Sequence, residues 1–152
     1  MFNLPVIIII ILAVAFNSAG AIAGFILTPK GFVFLGRVHH PLDYFYYLSQ
    51  FAQGKTNWFT NYNLYSNDGV ESSIVGWINI FIGHLFSLIG INHLLAYQIT
   101  IVLASLLFLS LSHKFIAQFF LHSPQKNKLS IIALFIFVSS NAFPSLQLIN
   151  GK

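Results

Sequence analysis

The sequence predicts an all-α polytopic membrane protein, and three observations predict it. Only 7% of the 152 residues are Asp, Glu, Lys or Arg, against about 25% in an ordinary soluble domain. Hydrophobic residues make up 57%, and the mean hydropathy is +0.79. The apolar residues also come in runs long enough to span a bilayer, which takes roughly 20 residues at about 1.5 Å each across about 30 Å of hydrocarbon. So few charges cannot cover a soluble globule of this size. A cytosolic enzyme, a nucleic-acid-binding domain and a disordered chain are therefore excluded. The net charge of +4 comes from seven positive residues, too dilute for a basic patch or a nucleic-acid partner. There is no cysteine, which removes disulfides, thiolate metal sites and cysteine nucleophiles.

About four spans are expected, at residues 4–27, 73–91, 94–112 and 129–143, within one membrane domain. The first opens with the apolar run Val6–Phe16. Its isoleucines are no obstacle, because lipid forces the backbone to satisfy its own hydrogen bonds. Its second half is rich in small residues (Ser18, Ala19, Gly20, Ala21, Ala23), which let neighbouring helices approach closely. Ala21-Ile22-Ala23 before Gly24 has the pattern of a signal-peptidase site. No Lys or Arg precedes the apolar run, however, and the run is long for a signal core. An uncleaved span is the expectation and a cleaved signal the alternative.

The segment 28–72 differs in character. It carries Lys30, Arg37, Asp43, Lys55, Asp68 and Glu71, with aromatic residues spread from Phe32 to Tyr65. A loop this long is functional or disordered. The aromatics argue against disorder and for the membrane interface. Within it, Pro41–Gln53 reads as an interfacial helix, with Pro41 at its first position and Gly54 just past its end. Asp43, Tyr47, Gln50 and Gly54 then share one face as a polar stripe. The stretch after Gly54 reads as loop and turn, ending in the tight-turn pair Asp68-Gly69.

Only Asn92 and His93 separate the second and third spans, which predicts a tight helical hairpin. His113–Lys128 is a short basic connector, and the fourth span stops at Pro144. Four spans place the long loop and this connector on one side. Together they hold Lys30, Arg37, Lys55, Lys114, Lys126 and Lys128, so the positive-inside rule assigns that side to the cytoplasm.

Asp43 is the most informative candidate for chemistry. It is the only acid in the first 67 residues and lies in a first helical turn, where the helix dipole favours the anion. An ionised carboxylate there suits orienting and polarising an attacking hydroxyl; the alternative is that it only stabilises its helix start. His39 and His40 are phosphate or metal candidates, although adjacent residues in extended chain point opposite ways and rarely share an ion. Asp68 and Glu71 could help hold a divalent cation, with a solvated turn as the alternative. No metal site is assigned, and no cofactor is required by the sequence. His84 falls mid-span and is a functional hypothesis on that ground. Asn79, His84 and Gln98 equally suit hydrogen bonds to neighbouring helices. No Gly-rich phosphate loop, Gly-x-Ser-x-Gly or His-Glu-x-x-His motif occurs.

Taken as a whole, the series Pro41-Leu42-Asp43-Tyr44-Phe45-Tyr46-Tyr47-Leu48-Ser49-Gln50, then Gln53-Gly54, Trp58, Asn61 and Asn63-Leu64-Tyr65-Ser66 resembles a known loop. It is similar to the first large loop of bacterial polytopic glycosyltransferases of the GT-C type, the RgtA/B/C/D-like and dolichyl-phosphate-mannose mannosyltransferase-like group. Those proteins begin with one span, followed by a long extracytoplasmic loop with an Asp on a membrane-parallel helix, and then a bundle of further helices. The resemblance covers residues 1–112. It implies Asp43 as the catalytic carboxylate, acting while a sugar leaves a polyprenyl-phosphate donor. His39, His40, Tyr47, Gln50, Trp58, Asn61 and Tyr65 would line the substrate site. It further implies a bacterial inner-membrane location and an extracytoplasmic loop, opposite to the charge count. Such enzymes have many more spans, so the chain reads as an N-terminal piece that would be inactive alone. Two readings compete: a non-catalytic membrane subunit or lipid-intermediate binding protein, and a small transporter component using His84.

Overall fold

A computed structural model describes residues 3–34, 41–62 and 72–140. In order these form α1 (Leu4–Leu27), α2 (Pro41–Gln53), β1 (Asn61–Tyr62), β2 (Ser72–Ser73), α3 (Trp77–Leu88), α4 (His93–Phe119) and α5 (Lys126–Ser140). The fold is mainly helical, as the composition requires. The exception is a minimal antiparallel ladder pairing Asn61 with Ser73 and Tyr62 with Ser72. α1 and α4 are each long and apolar enough to cross a membrane.

The expected second span, 73–91, is much shorter as a helix. Gly76 starts α3 at φ 79°, and Gly90 follows its end at φ 77°. At that end the Gly90 N–H donates to Ser87 O (3.0 Å) and the Ile91 N–H to Phe86 O (3.0 Å). This is a Schellman closure, which needs a left-handed residue that glycine supplies without strain. Two left-handed glycines thus limit α3 to 12 residues, about 18 Å of helix. That is well short of the roughly 30 Å of a hydrocarbon core.

The third expected span, 94–112, is longer than anticipated. Asn92 caps α4, its side-chain oxygen accepting the Leu95 N–H at 2.9 Å, and the helix runs on through His113 and Lys114 to Phe119. No Gly or Pro interrupts it before Pro124, so polarity alone does not end it. α5 covers Lys126–Ser140; the last residues of the fourth expected span, 141–143, lie outside the described residues.

The chain divides into two compact units, Met1–Asn17 with Ser105–Lys152, and Ser18–Ala104. In the first, Val6, Ile10 and Leu134 form a buried cluster packed by Ile9, Leu106, Leu109, Ile116, Ile131 and Val138. Val6, Ile10 and Val14 are the buried residues of α1, and their i, i+4, i+8 spacing makes one narrow stripe. Leu4, Ile8, Ile11, Leu12 and Phe16 around it are exposed. A helix apolar on all sides with one packed stripe fits a lipid environment, where packing rather than apolar burial holds helices together.

In the second unit, the small-residue half of α1 (Ser18, Ala21, Ile22) lines an apolar groove with Leu95, Gln98 and Ile99 of α4. The close helix approach expected from its composition is not seen at Gly20, where nothing lies within 4 Å of the Cβ position, and Ala19 and Ala23 are exposed. Past α1, the Phe34 ring covers Gly24, where a Cβ would overlap it, and meets Phe25 edge-on at 5.1 Å.

Candidate functional site

The most elaborated part of the second unit is the packing of α2 on α3. Glycines make it possible. A Cβ on Gly83 would overlap the Phe51 carbonyl oxygen, and one on Gly54 would lie 2.5 Å from both His84 N and Ile80 O. The two backbones therefore touch directly, as at small-residue helix crossings. Ile80 is fully buried at this contact.

Polar side chains lock the crossing. Asn79 Nδ2 donates to Gln50 Oε1 at 2.7 Å. Gly76 leaves room for the Gln50 amide, since a Cβ there would overlap it. Gln50 is only 1% exposed, and its Nε2 has no hydrogen-bond partner among the described residues. The His84 ring lies 2.8 Å from the Gly54 carbonyl through Nδ1. A carbonyl can only accept, so Nδ1 carries the proton in this hydrogen bond. The Trp58 ring lies against it with centroids 3.9 Å apart and planes tilted by 35°, and Phe59 stacks on Phe81 at 5.6 Å with planes 9° apart.

The loop is pinned in the same manner. Gln53 pairs with Tyr62 as a neighbouring strand would. Its Oε1 accepts the Tyr62 N–H at 2.8 Å, and its Nε2 donates to Tyr62 O at 3.1 Å and to Asn61 Oδ1 at 3.1 Å. Asn61 Nδ2 in turn reaches Val75 O at 3.3 Å and the Tyr46 hydroxyl at 3.4 Å. On another side of α2, Tyr44 and Phe51 are buried against the Tyr97 ring, edge-on at 5.3 and 5.4 Å. Burial pushes the Tyr44 hydroxyl above its ordinary pKa, the Tyr97 hydroxyl adds to this, and Gln98 acts the other way.

The expected polar stripe of α2 is thus divided. Asp43 and Tyr47 at its start are exposed, whereas Gln50 and Gly54 are buried. The second half of that face is covered by α3. Gln50 and Asn61, expected to contact substrate, bond to the scaffold through Gln50 Oε1 and Asn61 Nδ2, while Gln50 Nε2 is buried without a partner among the described residues. Trp58 keeps half of its surface exposed while lying against His84. His39, His40, Tyr65, Asp68 and Glu71 lie outside the described residues. Among the described residues, no group of three His, Asp or Glu side chains could hold a metal ion.

Gln53 and Gly83 carry roles that sequence reasoning missed. A glycine inside an apolar helix is the local signal that could have found Gly83, since it marks close approach. Asn79 and His84 do bond to a neighbouring helix and its end, as their polarity in an apolar segment suggests.

No protein-family model, curated protein or solved structure matches this chain.

Proposed function

We propose that the chain belongs to a membrane glycosyltransferase of the GT-C type, acting on a polyprenyl-phosphate sugar at the extracytoplasmic face of a bacterial inner membrane. The observation that supports this best is the setting of Asp43. It is an exposed carboxylate in the first turn of a helix that is fastened to α3 by backbone contact and side-chain hydrogen bonds. A reactive group on a rigid element holds its geometry better than one on a free loop. A carboxylate placed there suits orienting an acceptor hydroxyl. The exposed rings of Trp58, Phe59 and Trp77 suit the headgroup level at which a lipid-borne sugar is presented.

The same reading requires the segment between α1 and α4 to face outward. In the first unit, Asn3 before α1, His113 and Lys114 late in α4, and Lys126 at the start of α5 line one pocket. α1 and α4 therefore run antiparallel there. On this reading α1 and α4, the two helices long and apolar enough to span, are crossings, and the segment joining them would face the side opposite the α4–α5 connector. Lys114, Lys126 and Lys128 then crowd a short connector. Lys30, Arg37 and Lys55 are spread over a segment longer than the roughly 60 residues within which such charges decide orientation. The connector becomes the cytoplasmic side, and the charge rule and the loop agree.

The test is Asp43→Asn, with sugar transfer from a polyprenyl-phosphate donor measured in membranes carrying the protein. Transfer is expected to fall by about 10²-fold or more, the scale of acid–base assistance, with helical content unchanged because Asp43 is exposed. Undiminished transfer would remove the catalytic role and leave a non-catalytic lipid-intermediate binding protein.

A further inference from the structure

α3 carries a second surface that its contact with α2 does not use. Ile80, Gly83 and His84 are buried, and the α3 backbone at these positions meets Phe51 and Gly54 of the α2 segment. Trp77, Ile78, Leu85 and Leu88 lie on the other side of the helix at i, i+1, i+8 and i+11, within one face. Ile74 and Ile89 continue that face past either end of α3. These side chains are all exposed, from 45% at Leu85 to 72% at Ile74. An apolar strip thus runs the full length of α3. A contiguous strip of this kind marks a contact with a partner or a membrane.

The surroundings of α3 say which. Gly90 turns the chain after Leu88, and Asn92 caps α4 directly beyond it. α4 is long and apolar enough to cross a membrane. The ends of a crossing lie at the two membrane surfaces, so the C-terminal end of α3 is held at one of them. At its other end α3 follows the exposed pair Ser72 and Ser73. It opens with Trp77, half-exposed, a residue type that settles at headgroup level. Both ends therefore belong to the same surface, and a helix of 12 residues lies along it. Charge agrees: residues 72–113 contain no Asp, Glu, Lys or Arg, so the strip offers nothing to a charged protein partner. A helix lying in the interface ordinarily turns a charged face to water. Here α2 covers that face instead and supplies the exposed polar groups, Asp43 and Tyr47.

We propose that the face of α3 formed by Ile74, Trp77, Ile78, Leu85, Leu88 and Ile89 is a membrane contact, immersed in the upper part of one leaflet's acyl chains. This rests on the membrane setting proposed above, with α1 and α4 as crossings, and not on sugar transfer. The lipid contact expected of α2 thus falls to α3. Because α2 touches α3 backbone to backbone, the immersed face fixes the height of α2, and of Asp43, over the bilayer.

The test uses the full chain in phosphatidylcholine vesicles, with lipids brominated either near the top or near the end of the acyl chain as contact quenchers of tryptophan. Trp58→Phe leaves Trp77 as the only tryptophan. Trp58→Phe/Trp77→Phe/Leu107→Trp puts the probe at the middle of α4, where Leu107 is exposed. Trp77 is expected to lose more emission to shallow bromine than to deep bromine, and little to aqueous iodide. The probe at position 107 is expected to show the reverse order of depth. Trp58→Phe/Trp77→Phe/Ile78→Trp, with the probe moved one position along the same face, is expected to follow Trp77 and guards against a local effect of one variant. Loss to iodide and to neither bromolipid would place the face in water and overturn the contact. Protection from all three quenchers would mean that protein covers the face, whether a second copy or further helices, and would overturn it equally. Stronger quenching by deep bromine would overturn the placement at the surface. Should the probe at position 107 also escape both bromolipids, the membrane setting itself fails; quenching there with Trp77 spared confines the failure to α3.

Discussion

The contact between Gly54 and Gly83 offers the sharpest test of the fold. In Gly83→Ala the new methyl group would overlap the Phe51 carbonyl oxygen and lie 2.9 Å from Phe51 Cα. In Gly54→Ala it would lie 2.5 Å from His84 N and Ile80 O and 2.7 Å from Gly83 C. Ordinary carbon contacts begin near 3.5 Å, and every atom struck belongs to the backbone, so no side chain can swing aside. α2 and α3 must separate by about 1 Å. The His84–Gly54 hydrogen bond, 2.8 Å long, would then exceed hydrogen-bonding range. Overpacking costs about 1–3 kcal/mol, and the lost bond adds about 1 kcal/mol. Gly54→Ala should therefore destabilise by about 2–4 kcal/mol. Gly83→Ala should cost somewhat less, because alanine recovers about 0.5–1 kcal/mol within a helix. Gly20→Ala is the control: nothing lies within 4 Å of its Cβ position, so helix propensity alone acts and stability is held or raised. The assay is SDS titration of the protein in mild detergent micelles, followed by tryptophan emission. Both tryptophans, Trp58 and Trp77, lie beside the perturbed contact, in rings that touch His84 and Phe59. If both alanine variants unfold within about 0.5 kcal/mol of the wild type, the variation ordinary for surface changes, the direct backbone contact is refuted.

Two further outcomes are expected. The pKa of the Tyr44 hydroxyl is raised in the folded protein, so stability linked to it is fully present below the ordinary value of about 10 and is lost as pH rises through the raised folded value. Tyr44→Phe should remove that part of the alkaline loss; unfolding curves of variant and wild type compared across this range check it, and parallel curves would count against the buried hydroxyl. The membrane arrangement is checked by single cysteines, which a chain free of cysteine makes unambiguous. Lys55→Cys should react with an impermeant maleimide in intact spheroplasts and Gln125→Cys only after the membrane is opened; labelling of both from one side would restore the four-span arrangement.

Much of the site was legible locally. Pro41 and Gly54 mark the limits of α2, and the helix occupies Pro41–Gln53 as read, because those signals act on the backbone within one turn. Asp43 follows from that start alone. The roles of Gln50 and Asn61 were not legible. A polar residue is compatible with many partners, and only the arrival of α3 and Val75 supplies the bonds these two make to Asn79 and Val75. Gly76 and Gly90 show the same division. As letters they are breaks in an apolar stretch, and their left-handed conformation limits that stretch to a helix of 12 residues.

The sequence by itself determined the helical class and the apolar character of its long helices. Charge scarcity and apolar run length are sums along the chain, and they point to helices long and apolar enough for lipid before any contact is known. The tertiary structure decided how long each apolar helix is and which polar groups bond to one another. It also decided where Lys114 and Lys126 meet Asn3. The physical reason is that each depends on contacts between residues far apart in the chain. A glycine reads only as a small residue until another backbone lies against it.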